Sequence, residues 1–226
     1  LEPGKIVTLS EENHRHLGVL RVRSSDTINI FNGLGDECTT IWHQRTRNVS
    51  ELRVEKLLPP LSQLSPLLHL AVAQANSQKM AWIIQKATEL NAASIQLLTT
   101  RFSQNARMAR SDRWQRIAEQ ACEQSGRRYV PRIYPALPLN DFLCIDNNHQ
   151  RFIPQPQAPS FCNYQADDRA ICWLVGPEGG WHTHELDLAK EHGVIAMGLT
   201  DTVLRMETAV CCALSISRFW QHPHDE

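Results

Sequence analysis

Long apolar runs are missing from this chain of 226 residues. No stretch approaches the roughly 20 consecutive apolar residues that a membrane-spanning helix needs. The bias of a disordered or fibrous chain is missing as well, because 42% of the residues are hydrophobic and 21% are charged. These proportions are typical of a globular protein. We therefore expect one or two domains with a sizeable core.

Cysteine pairs of the C-x-x-C type are also absent, although the chain contains seven cysteines. An odd number without paired spacing argues against a disulfide framework and favours a reducing compartment. The first residues lack the basic and then apolar segment of a secretory signal. We therefore expect a cytoplasmic protein.

An excess of charge of one sign is absent too, since the chain has 23 basic and 24 acidic residues. The distribution along the chain is less even: residues 101–132 contain eight arginines, no lysine and three acidic residues. Arginine without lysine suits bidentate contacts to phosphate and stacking on bases. The same pattern is typical of a solvated helix face. Charge alone leaves these two interpretations open.

Residues 1–58 contain short β-type segments, separated by turn signals such as Asn32-Gly33. The pattern predicts strands at residues 27–31, 38–42 and 50–54, after a helix that begins behind Ser10. We expect a small β-barrel module. Pro59-Pro60 and the serines and proline that follow predict a linker over residues 59–66.

From residue 67 onwards strand-like and helix-like segments alternate, which predicts an α/β domain over residues 67–226 with a mostly parallel sheet. The predicted strands are residues 67–73, 93–98, 170–175 and 194–197, and the predicted helices are 79–90, a helix from 111, 183–192 and 206–220. Residues 135–168 are rich in Pro, Asn and Gln. There we expect irregular structure with a mobile loop and one weak strand.

Two loops follow predicted strands and combine unusual residues: 176–180 (Gly-Pro-Glu-Gly-Gly) and 198–205. Ligands of open α/β sheets bind beyond the carboxyl ends of the strands, and glycine permits close backbone approach to a ligand. A plain strand-to-helix turn is the alternative. The loop at 176–180 matches neither the dinucleotide fingerprint nor a P-loop, so a nicotinamide or nucleoside triphosphate cofactor is poorly supported.

Other catalytic patterns are missing. Three His-x-His pairs occur, at residues 14/16, 182/184 and 222/224, without a further ligand at zinc spacing, so we expect no metal site. The Gly-x-Ser-x-Gly elbow of serine hydrolases is absent.

Two motifs in the C-terminal half resemble those of a known family. Residues 174–180 read Leu-Val-Gly-Pro-Glu-Gly-Gly, and residues 203–209 read Val-Leu-Arg-Met-Glu-Thr-Ala. Together they resemble the RsmE family of ribosomal RNA methyltransferases. Upstream segments match the same family in order and spacing: Gln-Lys-Ala-Thr-Glu-Leu at 85–90, Thr-Arg-Phe-Ser at 100–103, and Ala-Cys-Glu-Gln-Ser-Gly-Arg at 121–127 with Val130-Pro131. The resemblance extends over residues 10–220.

The resemblance implies the fold, the reaction and the partners. The family consists of S-adenosylmethionine-dependent methyltransferases of the knotted SPOUT class, acting on N3 of a uridine in 16S ribosomal RNA. It implies a trefoil knot in the C-terminal domain, a PUA-like RNA-binding barrel at the N-terminus, and a homodimer to which the last helix contributes. S-adenosylhomocysteine would be the product and the small ribosomal subunit the substrate particle, without metal or membrane.

The resemblance also implies roles for individual residues. The cofactor would be held by Leu174, Val175, Gly176, Pro177, Glu178, Gly179, Gly198, Leu199, Thr200, Val203, Leu204 and Thr208. Catalysis would involve Arg205, Glu207 and Arg101: either arginine could stabilise negative charge on the base, and Glu207 could accept a proton or orient Arg205. RNA contacts would come from Arg107, Arg110, Gln124, Arg127 and Arg128.

The chain departs from the family at three positions. Leu199-Thr200-Asp201-Thr202 stands where the family has Leu-Gly-x-Arg, which bears on cofactor contacts and RNA affinity. Asn91 replaces a glycine, but asparagine also tolerates the left-handed conformation. Three alternatives stay open: a related methyltransferase with another RNA target, a non-catalytic RNA-binding or ribosome-assembly protein, and a phosphate-binding metabolic enzyme.

Overall fold

The computed structural model describes residues 2–19, 22–23, 25–61, 63, 67–104, 111–145, 148–165 and 167–221. The chain divides into two compact units, Leu1–Gln63 and Leu64–Glu226. None of the helices in this described part is long and apolar enough to cross a membrane.

The N-terminal unit is a four-stranded antiparallel sheet with one helix. Its elements are β1 (Ile6–Thr8), α1 (Glu11–Val19), β2 (Ile28–Phe31), β3 (Glu37–Arg45) and β4 (Ser50–Leu57). The strand order is β1-β4-β3-β2. The three predicted strands and the helix after Ser10 are confirmed, whereas β1 has only three residues and no signal in its sequence. Closure into a PUA-like barrel stays a prediction.

The C-terminal unit is built on a six-stranded sheet in which every neighbouring pair is parallel, in the order β10-β8-β9-β5-β6-β7. Its elements are β5 (Leu68–Ala73), α2 (Ser77–Glu89), β6 (Ser94–Thr99), α3 (Ser111–Ser125), β7 (Arg132–Pro138), α4 (Leu139–Leu143), β8 (Gln150–Pro154), β9 (Ile171–Val175), α5 (Thr183–Glu191), β10 (Ile195–Met197) and α6 (Met206–Gln221). The predicted α/β class with a parallel sheet is confirmed.

Helices cover both faces of this sheet. In β9, Trp173 and Val175 pack with α2, α3 and α6, whereas Cys172 and Leu174 pack with α4 and α5. Strands that are buried on both faces are apolar at nearly every position, which explains the continuous apolar runs of β5 and β9.

The expectation for residues 135–168 was wrong in part: a strand is present as predicted, but the region is more regular than expected and the strand is an inner one. This region contains the end of β7, the helix α4, a short 3₁₀ helix (Phe161–Asn163), and β8, which lies between β9 and β10. The prolines of β7 are tolerated because this strand lies at the edge of the sheet. The polar residues of β8 suggest an exposed segment, but Gln150 and Arg151 are buried. The Gln150 side chain donates to the carbonyl of Asp167, and the Arg151 side chain donates to the carbonyl of Leu143.

Two histidines stack at the amino end of the sheet. The rings of His69 and His149 lie 4.5 Å apart between centroids, at an angle of 7°, and His69 Nδ1 lies 2.7 Å from Ser94 Oγ. Burial, and secondly the neighbouring His149, lower the pKa of His69 from 6.5 to about 4. Burial, with Arg151 nearby, also lowers the pKa of His149.

This pair predicts a loss of stability in acid. Between pH 6.5 and about 4 the unfolded chain binds a proton at residue 69 that the folded chain does not. The stabilisation from neutral His69, on the order of 3 kcal/mol, is therefore present above pH 6.5 and is lost as the pH falls through this window. Urea unfolding across the window should give a shallower pH dependence for His69→Gln than for the wild type. The exposed His43→Gln is the control, and equal slopes for His69→Gln and the wild type would contradict the prediction.

Candidate active site

A cleft of about 700 Å³ opens at the carboxyl ends of β9 and β10. Its walls come from the loops that follow these two strands, from the first turns of α2 and α6, from α5, and from residues 154–156 at the end of β8. Parallel strands place their carboxyl ends at one edge of a sheet, so loops distant in the sequence meet there.

The loops at 176–180 and 198–205, which we call the motif loops, supply most of the residues that the sequence assigns to the cofactor. Eight of the twelve line the cleft: Val175, Gly176, Pro177, Glu178, Leu199, Thr200, Val203 and Leu204. The other four lie elsewhere. Leu174 is fully buried on the opposite face of β9, and Thr208 is exposed on α6.

Gly179 and Gly198, the remaining two, are each in close contact with another part of the protein. A Cβ at Gly179 would lie 3.1 Å from the Cβ of Phe102, and a Cβ at Gly198 would lie 2.6 Å from the carbonyl oxygen of Ala158. Within the cleft itself, a Cβ at Gly176 would lie 2.7 Å from Trp181 Nε1. The structure therefore requires small residues at these positions for contacts within the chain.

An ion-pair cluster joins the loop at 176–180 to the start of α6. Lys79, in the first turn of α2, donates a hydrogen bond from Nζ to Glu178 Oε1, and the same Nζ lies 3.1 Å from Glu207 Oε2. The orientation toward Glu207 is that of an ion pair rather than a directed hydrogen bond. Glu178 belongs to the loop after β9 and Glu207 lies in the first turn of α6, so one ammonium group holds these two walls of the cleft together. We name Lys79, Glu178 and Glu207 the lysine bridge.

Electrostatics keep the lysine bridge charged. The hydrogen bond to Glu178, reinforced by Glu207, raises the pKa of Lys79. A hydrogen bond from its own backbone N–H, together with Lys79, lowers the pKa of Glu207. A carboxylate with a lowered pKa is a weak proton acceptor. The contact with Lys79 therefore opposes protonation of Glu207.

Sequence reasoning missed Lys79, although one signal was available. A cation in the first turn of a helix opposes the helix dipole. Such a residue is stabilised by anionic partners, which here come from the loop at 176–180 and from the first turn of α6. Gln155 and Pro156 carry no comparable signal, because the position of β8 beside β10 brings them to the cleft.

The catalytic candidates lie in two places. Arg205 lines the cleft with an exposed side chain. Within the described part of the chain, its guanidinium forms no ion pair. Arg101 does not line the cleft but lies in the loop after β6, where its backbone N–H donates to Glu185 Oε1 at 2.8 Å. This bond ties the Arg101 loop to the start of α5, beside the loop at 176–180.

The predicted RNA residues differ in their surroundings. Arg107 and Arg110 lie outside the described residues. Gln124 is exposed and Arg128 is half-buried near the end of α3. Arg127 donates to the carbonyl oxygens of Thr88 and Ala92 at 2.8 and 2.7 Å, and burial lowers its pKa to about 10. Its two terminal nitrogens thus bind backbone at the end of α2, which gives Arg127 a structural role.

The departures from the family pattern are accommodated locally. Thr200 Oγ1 donates to the carbonyl oxygen of Thr202 at 2.9 Å, and both threonines line the cleft. Asn91 has a φ of 64°, so it takes the left-handed conformation expected after the end of α2.

Comparisons with known proteins agree with this geometry. The family described as RNA methyltransferase domain matches residues 63–218. The ribosomal RNA small subunit methyltransferase E of Rickettsia conorii is 29% identical over 217 residues, covering 92% of this chain and 88% of that protein. The protein of the same name from Bacillus subtilis is 27% identical over 223 residues, covering 91% and 86%.

Two solved structures are similar over nearly the whole chain. Ribosomal RNA small subunit methyltransferase E from Neisseria gonorrhoeae, bound to S-adenosyl methionine, has a TM-score of 0.89 and 31% identity, covering 97% of this chain and 94% of that chain. A methyltransferase from Legionella pneumophila with bound S-adenosylmethionine has a TM-score of 0.88 and 31% identity, covering 96% and 92%. With both motif loops at one cleft, this chain belongs to the RNA methyltransferase domain family and, within it, to the ribosomal RNA small subunit methyltransferase E family.

Proposed function

We propose that this protein transfers a methyl group from S-adenosylmethionine to N3 of a uridine in 16S ribosomal RNA. One observation carries the proposal: the loops at 176–180 and 198–205, which are separated by 17 residues in the sequence, both line one cleft. The substrate would be the small ribosomal subunit, and the protein would act in the cytoplasm as a homodimer. We also propose that the C-terminal domain is knotted.

The residues of the cleft fit the cofactor. The volume of the cleft, about 700 Å³, falls within the usual range for small-molecule sites. Apolar side chains of Val175, Leu199 and Leu204 suit the adenosine, while the backbone of residues 176–178, which line the cleft, would supply hydrogen-bonding groups for its polar parts. When bound, S-adenosylmethionine supplies a methyl group already activated on its sulfonium. The protein then has to align the acceptor nitrogen.

Arg205 is the residue we place at the reacting base. Uracil N3 carries a proton and becomes a nucleophile only when water takes that proton, and the negative charge then spreads over the ring. The exposed guanidinium of Arg205 in the cleft would stabilise this charge. Glu207, held by Lys79, would orient the start of α6 and with it Arg205. Arg101 would add positive charge from the neighbouring loop.

RNA binding would depend on phosphate contacts. The target base has to leave its stack to enter the cleft. We propose that Arg128 and Gln124 near the end of α3, with Arg107 and Arg110, contact the backbone of the RNA, and that the N-terminal unit adds further contacts. Affinity for RNA would then fall steeply with salt.

The test is transfer of labelled methyl from S-adenosylmethionine to small ribosomal subunits that lack the native modification, followed by nucleoside mass spectrometry. We expect 3-methyluridine. Another methylated nucleoside would indicate a different RNA target. Cofactor binding without transfer would point the same way, whereas loss of both would favour a non-catalytic RNA-binding protein. The test has to distinguish an enzyme from a binding protein because Thr200 and Thr202 replace the glycine and the arginine of the family pattern.

The lysine bridge gives a prediction about cofactor affinity. Lys79→Met removes the ammonium group that pairs with both Glu178 and Glu207. The two walls of the cleft should separate, and the dissociation constant for S-adenosylmethionine measured by calorimetry should rise roughly tenfold, about 1.4 kcal/mol. Lys86→Met is the matched control, because Lys86 pairs with Glu89 on the same helix and joins no loops. Equal affinity of Lys79→Met and wild type would refute the bridging role.

A further inference from the structure

Phe102 is an exposed aromatic residue beside the active site. It lies in the loop after β6, next to Arg101, and 47% of its surface is exposed. The ring does not line the cleft. Its side chain packs instead against the other side of the 176–180 loop, at Gly179. Phe102 therefore stands immediately outside the cleft wall.

The loop that carries Phe102 is tightly held. Thr100 N–H donates to Ser103 Oγ and Ser103 Oγ donates to the Thr100 carbonyl, each at 2.9 Å. Gln104 N–H donates to the carbonyl of Gln74 at 3.1 Å, and Arg101 is bound to Glu185 as described above. The exposed ring is thus fixed on both sides rather than carried by a free loop.

A second ring stands beside Phe102. The centroid of His182 lies 6.0 Å from that of Phe102, with the planes inclined by 52°. His182 is itself fixed, because its side chain accepts from the N–H of His184 and its own N–H donates to Glu185 Oε2 at 2.9 Å. Gly179 leaves the space in which Phe102 is seated. The two rings form an open aromatic corner, with Arg101 adjacent in the sequence.

We propose that Phe102 is a base-stacking residue for the RNA substrate: its ring, with His182, stacks the nucleobase next to the uridine that enters the cleft. The inference rests on the proposed function. Extrusion of one base deprives its neighbour of a stacking partner. A preformed ring just outside the cleft replaces that partner, and aromatic–base stacking tolerates any base because each has a flat π face. A nearby arginine suits the adjoining phosphate.

Steady-state kinetics on unmodified small ribosomal subunits test this inference. We expect Phe102→Leu to raise KM for the subunit roughly tenfold, the scale of one aromatic–base contact. The dissociation constant for S-adenosylmethionine should not change, and Phe102→Tyr should restore a nearly wild-type KM. The matched control is Tyr134→Leu, which removes an exposed ring from the edge strand β7. Unchanged KM in Phe102→Leu, with normal wild-type turnover, would overturn the inference and leave the proposed function intact. So would an equal defect in Phe102→Tyr, because the loop would then depend on packing alone.

A binding measurement separates this inference from the reaction. The probe is a short oligouridine that carries one 2-aminopurine. The fluorescence of this base is quenched when it stacks on an aromatic ring. We expect saturable quenching by the wild type and by Phe102→Tyr, but much less by Phe102→Leu. If no methyl transfer occurs to any RNA, the proposed function fails while this measurement still decides the role of Phe102. Equal quenching by all three proteins would overturn it.

Discussion

Replacement of Gly198 by alanine is expected to abolish measurable binding of S-adenosylmethionine and to lower the free energy of unfolding by roughly 2–4 kcal/mol. The added Cβ would lie 2.6 Å from the carbonyl oxygen of Ala158. This oxygen belongs to backbone, so no rotation of a side chain relieves the clash.

Hydrogen bonds join Gly198 to the segment at residues 159–161, and we call this contact the Gly198 crossing. Gly198 N–H donates to the carbonyl of Pro159 at 2.9 Å, and Phe161 N–H donates to the carbonyl of Gly198 at 3.1 Å. Separation of the two segments would break these bonds. It would also displace Leu199 and Thr200, which follow directly and line the cleft. Binding sites tolerate little misplacement of this kind.

Calorimetric titration with S-adenosylmethionine and urea unfolding would measure the two effects. Gly18→Ala is the matched control, because the nearest atom to its added Cβ is the end of the Arg45 side chain, at 3.9 Å. It should leave cofactor affinity unchanged. Wild-type cofactor affinity in Gly198→Ala would show that the crossing yields more easily than its hydrogen bonds imply.

Replacement of Arg205 by alanine is expected to lower the rate of methyl transfer roughly 100- to 1000-fold, with cofactor affinity changed less than about threefold. Arg205 is exposed in the cleft and forms no ion pair within 4.0 Å among the described residues, so its removal breaks no salt bridge there. The loss should therefore fall on the step in which negative charge develops on the base.

Single-turnover methylation of unmodified subunits, with cofactor binding measured on the same preparations, would test this. Arg205→Lys keeps the charge but not the planar fork of donors, and an intermediate rate is expected. Arg169→Ala is the control, since Arg169 is a surface residue whose ion pair is with Asp167. A normal rate in Arg205→Ala would remove this residue from the chemistry and leave Arg101 as the arginine to test.

Much of the C-terminal unit follows from local sequence. The apolar runs that became β5 and β9 are nearly continuous because both faces of those strands are covered by helices. The glycine-rich loop at 176–180 follows β9, where open sheets bind ligands. These signals are local, since each depends on residues next to one another in the chain. The motifs in the two loops that line the cleft were readable for the same reason.

The inner position of β8 in the sheet and the lysine bridge were decided by tertiary structure alone. β8 has polar residues that its own sequence cannot show to be satisfied, because their partners lie in other segments. Lys79 reads as an ordinary helix residue until the sheet brings Glu178 and Glu207 to it. Phe102 and Gly198 owe their surroundings to Gly179 and Ala158 in the same way. Patterns along the chain encode which residues are buried. Contacts between distant segments are fixed only when the strands take their places in the sheet, in an order that differs from their order in the sequence.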